Sequence, residues 1–227
     1  KTKLKFNIDD DKLITDINII LNNDLFNIPW IYILYVFIKN NREYLTEKQI
    51  ENGPMAVDFD FRYSHDTETR QHTKEHIQDM VLLYLEVLKD IFVFDENKPF
   101  NIFIMEKPQV NCNEEDKVTK DGIHMIIGIQ VDNILQTMIR DKIISKLPEI
   151  WDLPLINTWD SVLDEGISKG TTNWQLFGSR KPGNEAYELT QHFIIGYDKS
   201  DGEFMMTEMK PADFDLKNNF NKLSVQN

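Results

Sequence analysis

The alternation of hydrophobic and polar residues along the chain predicts a mixture of helices and strands. Apolar residues recur at helical spacing in Arg70–Phe92, which predicts an amphipathic helix, and a second helix is expected over Val131–Leu147. Runs rich in β-branched and aromatic residues predict strands at Met55–Tyr63, Asn101–Glu106 and Ile123–Ile129. This order of elements predicts an α+β fold built on a mixed sheet.

Five further segments have weaker patterns. Trp30–Lys39 is short and apolar, so its pattern fits either a strand or a short buried helix. The polar stretch Pro108–Gly122 predicts a mobile loop, and Pro148–Pro154 predicts a turn region. The runs Thr172–Ser179 and Leu189–Asp198 are expected to form antiparallel strands.

Two carboxylates interrupt the first predicted strand. Because side chains alternate between the faces of a strand, Asp58 and Asp60 share one face, about 6.6 Å apart along the chain, and Val57, Phe59 and Phe61 take the other. A buried, unpaired carboxylate costs several kcal/mol, and a divalent cation would offset that cost. An edge strand with its polar face in water is the alternative. Acid pairs with this spacing also occur in manganese-dependent sugar-nucleotide transferases.

A second candidate is the HTKEH stretch at the start of the first predicted helix. His72, Glu75 and His76 have the spacing in which two histidines hold zinc beside a catalytic glutamate. No third ligand is evident downstream. A solvated helix start, with a glutamate favourably placed near the helix N-terminus, is the preferred interpretation.

A third group lies on the strand that follows the polar stretch. Lys120, Gly122 and His124 alternate onto one face and present a cation, a bare backbone and an imidazole together. Such a trio suits a polyphosphate, because glycine permits close approach while lysine and histidine donate to oxygen atoms. For His124 alone, a hydrogen-bonded core histidine is the alternative.

A fourth group follows the second predicted helix. Asp164 ends an apolar stretch and precedes a glycine-containing segment. Further along, Ser179, Arg180 and Lys181 place a hydroxyl and two cations just before a Pro-Gly pair. Taken alone, the Arg-Lys pair also fits an ordinary solvated turn.

Composition and charge limit the classes of function. The 227 residues suffice for a sizeable core, and the net charge of −13 argues against a broad phosphate-binding face. The lone Cys112 excludes an internal disulfide framework and a cysteine-based zinc site, so a reducing, intracellular setting is expected. No apolar run approaches the roughly 20 residues that span a bilayer. The chain begins with lysine, so we expect it to be part of a longer protein.

In this order, the segments VDFDF, KDGIH and LDEGIS…NWQLFGSRK resemble the three motifs of archaeo-eukaryotic primases. The similarity is to the primase-polymerase branch of nucleocytoplasmic large DNA viruses, and GSRKPGN resembles the poxvirus primase-helicase form. It covers roughly Trp30–Asp198. The resemblance implies an α/β N-terminal module packed on an RRM-like module, with residues 1–227 as one catalytic domain and residues 1–29 as a peripheral segment.

The resemblance also implies an activity: template-directed nucleotidyl transfer that makes primers for viral DNA replication, with two Mg²⁺ or Mn²⁺ ions as cofactors. The residues implied as catalytic and as metal ligands are Asp58, Asp60 and Asp164. The residues implied in binding the NTP or dNTP substrate are Lys120, Gly122, His124, Ser179, Arg180 and Lys181.

The implied partners are a single-stranded DNA template, nucleoside triphosphates, replication proteins and a helicase domain after residue 227, with no membrane; the implied location is a cytoplasmic viral factory. Family members commonly carry serine where this chain has Gly122, and arginine where it has Thr172 and Gln175. These differences leave a non-catalytic scaffold open as an alternative. A repair-type primase-polymerase that mainly extends primers is another.

Overall fold

The computed structural model describes residues 32–227. The expected peripheral segment 1–29 and the start of the Trp30–Lys39 element lie outside the described residues. The described residues belong to two compact units that divide between Arg42 and Glu43. In the first unit, Leu34–Ile38 forms a π-helix, so the helical alternative for this segment is the observed one.

The second unit contains the strands and helices that build the site. Its strands are β1 (Thr46–Glu47), β2 (Asn52–Ser64), β3 (Phe100–Glu106), β4 (Asn111–Asn113), β5 (Val118–Asp132), β6 (Trp174–Gln175), β7 (Glu188–Asp198) and β8 (Glu203–Met209). Its α-helices are α1 (Lys74–Lys89), α2 (Asn133–Ile150), α3 (Trp159–Val162), α4 (Glu165–Ser168) and α5 (Leu216–Asn219). Single 3₁₀ turns occupy Pro211–Asp213 and Phe220–Leu223.

The main sheet has the strand order β2-β5-β3-β7-β8, with β4 paired to β5. The α+β class is confirmed. Within the described residues every strand pairing is antiparallel, whereas the element order predicted a mixed sheet. The runs at 172–179 and 189–198 are not paired with each other. β6 pairs with β1, whereas β7 lies between β3 and β8.

Two loop predictions are corrected by the structure. The polar stretch Pro108–Gly122 contains a hairpin, because β4 pairs with the start of β5. Its turn is built by Asn113, whose Oδ1 accepts from two following backbone N–H groups, and by Lys117 at a φ of 54°. Pro148 lies inside the last turn of α2 rather than in a loop, and the buried Leu147 and Trp151 hold that turn against the core.

The hydrophobic core lies between one face of the sheet and the helices α1 and α2. Helix α1 starts where Thr73 caps it, and its apolar stripe is buried, as the periodicity predicts. Phe59 and Phe61 are fully buried and pack on Trp151, at ring-centroid distances of 5.4 and 5.7 Å. Each such ring contributes about 1.5–3 kcal/mol by burial. The core therefore fixes β2 and directs its acidic residues to the other face.

Among the helices of residues 32–227, none has the length and apolar character that a membrane span requires.

Candidate active site

Three carboxylates meet at the edge of the main sheet. Asp58, Asp60 and Asp164 each offer an oxygen atom, and these atoms lie within 4.8 Å of one another. Asp164 is brought there by the backbone, because its N–H donates to the carbonyl of Asp58 at 3.0 Å, beside an antiparallel bridge between Phe59 and Leu163. The structure thus brings together acids from two distant parts of the sequence.

Strand β2 is an edge strand, and the segment leading to Asp164 covers its free edge. In the side chain of Asn157, Nδ2 donates to the carbonyl of Asp60 at 2.9 Å and Oδ1 accepts from the N–H of Arg62 at 3.1 Å. The N–H of Ile156 also donates to the carbonyl of Arg62, at 2.9 Å. These bonds satisfy backbone groups that an open edge would leave to solvent, and they fix the backbone that carries the acids.

Arg140 on α2 fixes the approach to Asp164, and the sequence analysis missed it. Its side chain is 3% exposed, and Nε donates to the carbonyl of Leu163 at 2.8 Å. Its Nη2 donates to the carbonyl and to Oδ1 of Asp160, at 2.6 and 3.0 Å. A buried guanidinium with such partners orders the loop. The sequence does contain a signal for this role, because Arg140 lies on the same face of the predicted helix as the apolar Ile143 and Leu147, where a cation needs a buried partner.

The acid cluster has a charge that its protein surroundings leave largely uncompensated. Burial and then Asp58 raise the pKa of Asp60 to about 6, Asp164 adds to this, and Lys181 and His124 lower it. The Oδ1 atom of Asp58 is buried and accepts no hydrogen bond, while Nε2 of His124 lies 3.4 Å from it. An orphaned carboxylate oxygen beside two more carboxylates suits a hard divalent cation, so these residues fit the metal that the resemblance implies.

His124 stands beside the acids in an aromatic stack. It pairs with Asp58 across β2 and β5, and its ring lies 3.7 Å from that of Tyr187 and 4.3 Å from that of Trp174. Both aromatic residues are buried, and the sequence analysis singled out neither as a site residue. The stack fixes the plane of the imidazole, so the packing of the fold sets the direction in which its nitrogen atoms point.

Gly122 faces Asp60 across the two strands, and a side chain cannot be added there without a shift. A Cβ atom would lie 2.6 Å from the carbonyl oxygen of Phe59 and 3.2 Å from the hydroxyl of Tyr187. Serine, which the family resemblance implies at this position, would therefore push β2 and β5 apart in this chain. The glycine follows from the close approach of the two strands.

The remaining predicted nucleotide-binding residues are placed differently from one another. The positive charge of Lys181 lowers the pKa of Asp60. Lys120 forms an ion pair with Asp116 at 2.8 Å, and its side chain is 41% exposed. Ser179 is fully buried, and its Oγ accepts from the N–H of Leu45 at 3.1 Å. The nucleotide-binding roles of Lys120 and Ser179 stay predictions.

Arg180 and the two positions that depart from the family pattern each make a local contact. Arg180 pairs with Glu185 at 3.4 Å, and its role in nucleotide binding also stays a prediction. Gln175 donates to the carbonyl of Ser179 at 2.6 Å, and the N–H of Thr172 donates to a backbone carbonyl in α4. The side chain of Gln175 therefore has a structural partner here, whereas the bond of Thr172 is made by its backbone and does not depend on the side chain.

The zinc alternative has no support in the described residues. His72 precedes α1 and is buried, with Nε2 2.8 Å from a carboxylate oxygen of Glu106, whereas His76 bonds to the helix cap Thr73. The solvated helix start is therefore wrong for His72, because β3 supplies a buried acid as its partner. Within residues 32–227, the acid triad is the only cluster of three such side chains that could hold a metal ion.

Comparison with known proteins agrees with this geometry. The family described as "C962R protein N-terminal AEP domain", where AEP denotes archaeo-eukaryotic primase, matches residues 30–193. A relative from Acanthamoeba polyphaga mimivirus, named "Putative helicase L207/L206", is 28% identical over 158 residues. That alignment covers 68% of this chain but only 16% of the mimivirus protein. The matched range includes all three acids of the cluster.

Proposed function

Because the chain belongs to the C962R-type family of archaeo-eukaryotic primase domains, we propose that it is a DNA-dependent primase and polymerase. Family membership implies a nucleotidyltransferase-type activity and a typical dependence on divalent metal ions. The finer proposal is template-directed synthesis of primers on single-stranded DNA during viral DNA replication. One observation carries it: oxygen atoms of Asp58, Asp60 and Asp164 lie within 4.8 Å of one another.

The reaction joins a 3′-hydroxyl to the α-phosphorus of a nucleoside triphosphate, and pyrophosphate leaves with the bridging oxygen as the hydroxyl loses its proton. Two Mg²⁺ or Mn²⁺ ions, when bound, supply Lewis-acid activation of the attacking oxygen and charge compensation for the leaving group. Asp58, Asp60 and Asp164 are the carboxylates that would hold them. Asp58 and Asp60 lie on the edge strand β2 and Asp164 on the segment bonded to that edge, and these backbone hydrogen bonds give the preorganisation that such chemistry needs.

The chain's other site residues bind and orient the triphosphate. His124 donates a hydrogen bond from an imidazole whose plane is set by its aromatic neighbours. Gly122 allows a phosphate to approach the backbone. Lys181 adds a positive charge beside Asp60, which favours an anionic ligand over an empty site.

The proposal extends to the longer protein. We expect a helicase domain after residue 227, in keeping with the name of the mimivirus relative, together with replication proteins and a cytoplasmic viral factory as the setting. The net charge of −13 predicts that this chain alone binds DNA weakly, with strong salt dependence. Template affinity would then come from the rest of the protein.

A priming assay tests the proposal. The chain, a single-stranded template, Mn²⁺ and labelled NTPs or dNTPs should give dinucleotides and longer products without a primer. Asp58→Asn and Asp164→Asn should abolish them, whereas the exposed Asp152→Asn is the matched control. Product formation that survives in both site variants would overturn the metal-site assignment.

Two alternatives are separated in the same assay. A repair-type primase-polymerase extends a supplied primer but makes no product on the unprimed template. A scaffold with a degenerate site does neither. The manganese-dependent glycosyltransferase would hydrolyse a sugar nucleotide, and it gives no role to Asp164, which the structure places beside the other two acids.

A further inference from the structure

Lys107, at the end of β3, is a cation beside the site that the sequence analysis did not single out. Its Nζ lies 5.3 Å from the centre of the Tyr187 ring, which itself stacks at 3.7 Å on His124. His124 in turn reaches within 3.4 Å of Asp58. A continuous stack thus leads from the acid cluster to the ammonium group of Lys107.

The same ammonium group is tied to the turn that carries Lys181. Nζ of Lys107 donates to Oδ1 of Asn184 at 3.3 Å, and Asn111 donates to the same oxygen at 3.0 Å. The N–H of Asn184 closes the turn on the carbonyl of Lys181 at 3.0 Å. One asparagine therefore holds the two lysine-bearing segments together.

A partly buried ion network fixes the backbone of Lys107. Nη2 of Arg70 donates to the carbonyl of Lys107 at 2.6 Å and to Oδ1 of Asp121 at 3.0 Å. Asp121 also accepts from the N–H of Gly122 at 2.9 Å. Lys107 and the glycine beside the acids are therefore positioned by one guanidinium-carboxylate pair, so the position of Lys107 relative to the site is preorganised.

In the described residues, Lys107 and Lys181 interact electrostatically with Asp60 but form no close ion pair with it. Within residues 32–227 neither ammonium group forms an ion pair with a carboxylate, whereas Lys120 and Arg180 both do. Burial and the nearby Lys181 lower the pKa of Lys107, and Asp60 opposes the shift. Asn184 joins the two segments that carry these lysines, and two positive charges there, one of them half-buried, favour an anion between them.

We propose that Lys107 and Lys181 together bind the terminal phosphates of a polyphosphate whose metal-bound part lies at the acid cluster. This rests on the proposed function and deepens it, because it assigns the triphosphate tail to a lysine pair bridged by Asn184. Lys107 is thus a further cation for the nucleotide, besides Lys120, whose ammonium group is paired with Asp116 in this structure and whose nucleotide-binding role stays a prediction. A monophosphate, which is shorter, would not reach the pair.

Binding measurements test the pair without relying on catalysis. Titration calorimetry with Mn²⁺ present would compare a nucleoside triphosphate, inorganic tripolyphosphate and a nucleoside monophosphate on wild type, Lys107→Ala and Lys98→Ala. We expect Lys107→Ala to weaken triphosphate and tripolyphosphate binding about tenfold, to leave the monophosphate unchanged, and to keep the manganese-induced rise in Tm. Lys98, whose side chain is 82% exposed, is the matched control and should behave as wild type.

The outcomes separate this inference from the proposed function. If wild type makes primers but Lys107→Ala binds both polyphosphates as tightly as wild type, the lysine pair is refuted and the primase proposal stands. If wild type makes no primer yet tripolyphosphate binding depends on Lys107, the primase proposal fails and the polyphosphate site stands. Equal weakening of all three ligands would also refute the pair, since it indicates general disruption of the site.

Discussion

Replacing Asp60 by asparagine should stabilise the ion-free protein and abolish its response to divalent ions. Burial and the charge of Asp58 raise the pKa of Asp60 from 3.8 to about 6. The folded state therefore holds the Asp60 proton more tightly than the unfolded chain does. Ionised Asp60 lowers the free energy of unfolding at neutral pH, and the loss develops as the pH rises from about 3.8 to 6.

The magnitude follows from the pKa shift and the exposure of the side chain. A shift of about 2.2 units, from 3.8 to about 6, corresponds to roughly 3 kcal/mol at 1.36 kcal/mol per unit. Because Asp60 is partly exposed, solvent screening reduces the expected effect to about 1–2 kcal/mol. For a domain of this size, that is a rise in Tm of about 2–8 °C.

Thermal unfolding in EDTA and in MnCl₂ measures both effects. In EDTA near pH 7.5, Asp60→Asn should melt above wild type, and near pH 4 the difference should be small. Adding Mn²⁺ should raise the Tm of wild type and of the control Asp152→Asn, but not that of Asp60→Asn. An Asp60→Asn protein that melts at or below wild type in EDTA at pH 7.5 would refute the electrostatic reasoning.

Three further predictions concern the scaffold of the site. Gly122→Ala should lower both the Tm and the yield of primers, because its Cβ atom would lie 2.6 Å from a backbone oxygen. In the control Gly196→Ala the nearest contact is a flexible side chain at 3.4 Å, so neither quantity should change. Equal effects of the two substitutions would contradict the close-approach argument. Arg140→Lys should weaken the manganese-induced rise in Tm by loosening the loop before Asp164, and an unchanged rise would show that the guanidinium does not position that acid. Burial raises the pKa of Glu47 from 4.5 to about 7, so the free energy of unfolding should fall as the pH rises through this range. Urea titrations at pH 5 and 8 should show a smaller fall for Glu47→Gln than for wild type. An unaltered pH dependence in Glu47→Gln would contradict this role of Glu47.

The parts of the site that depend on local pattern were predictable from the sequence. Strand periodicity alone places Asp58 and Asp60 on one face and the neighbouring phenylalanines on the other, and the structure agrees. The alternation of Lys120, Gly122 and His124 likewise agrees with the register, in which His124 lies opposite Asp58.

The parts that depend on pairing between distant segments were not predictable. Nothing in the polar pattern of Pro108–Gly122 shows that its asparagines close a hairpin on β5. Arg140 belongs to an apolar helix face, and its partners are two backbone carbonyls and the carboxylate of Asp160, about 20 residues away, which no local pattern links to it. Lys107 follows a strand as many solvated lysines do. Only the return of the chain through Tyr187 and Asn184 places it beside the acids.

The central claim is that Asp58, Asp60 and Asp164 together hold divalent ions for nucleotidyl transfer. Anomalous diffraction from crystals grown with Mn²⁺ and a non-hydrolysable nucleoside triphosphate tests it most directly. The account predicts manganese peaks in direct contact with oxygen atoms from all three carboxylates, with the triphosphate attached to the same ions. Manganese bound elsewhere, or bound without Asp164, would contradict it.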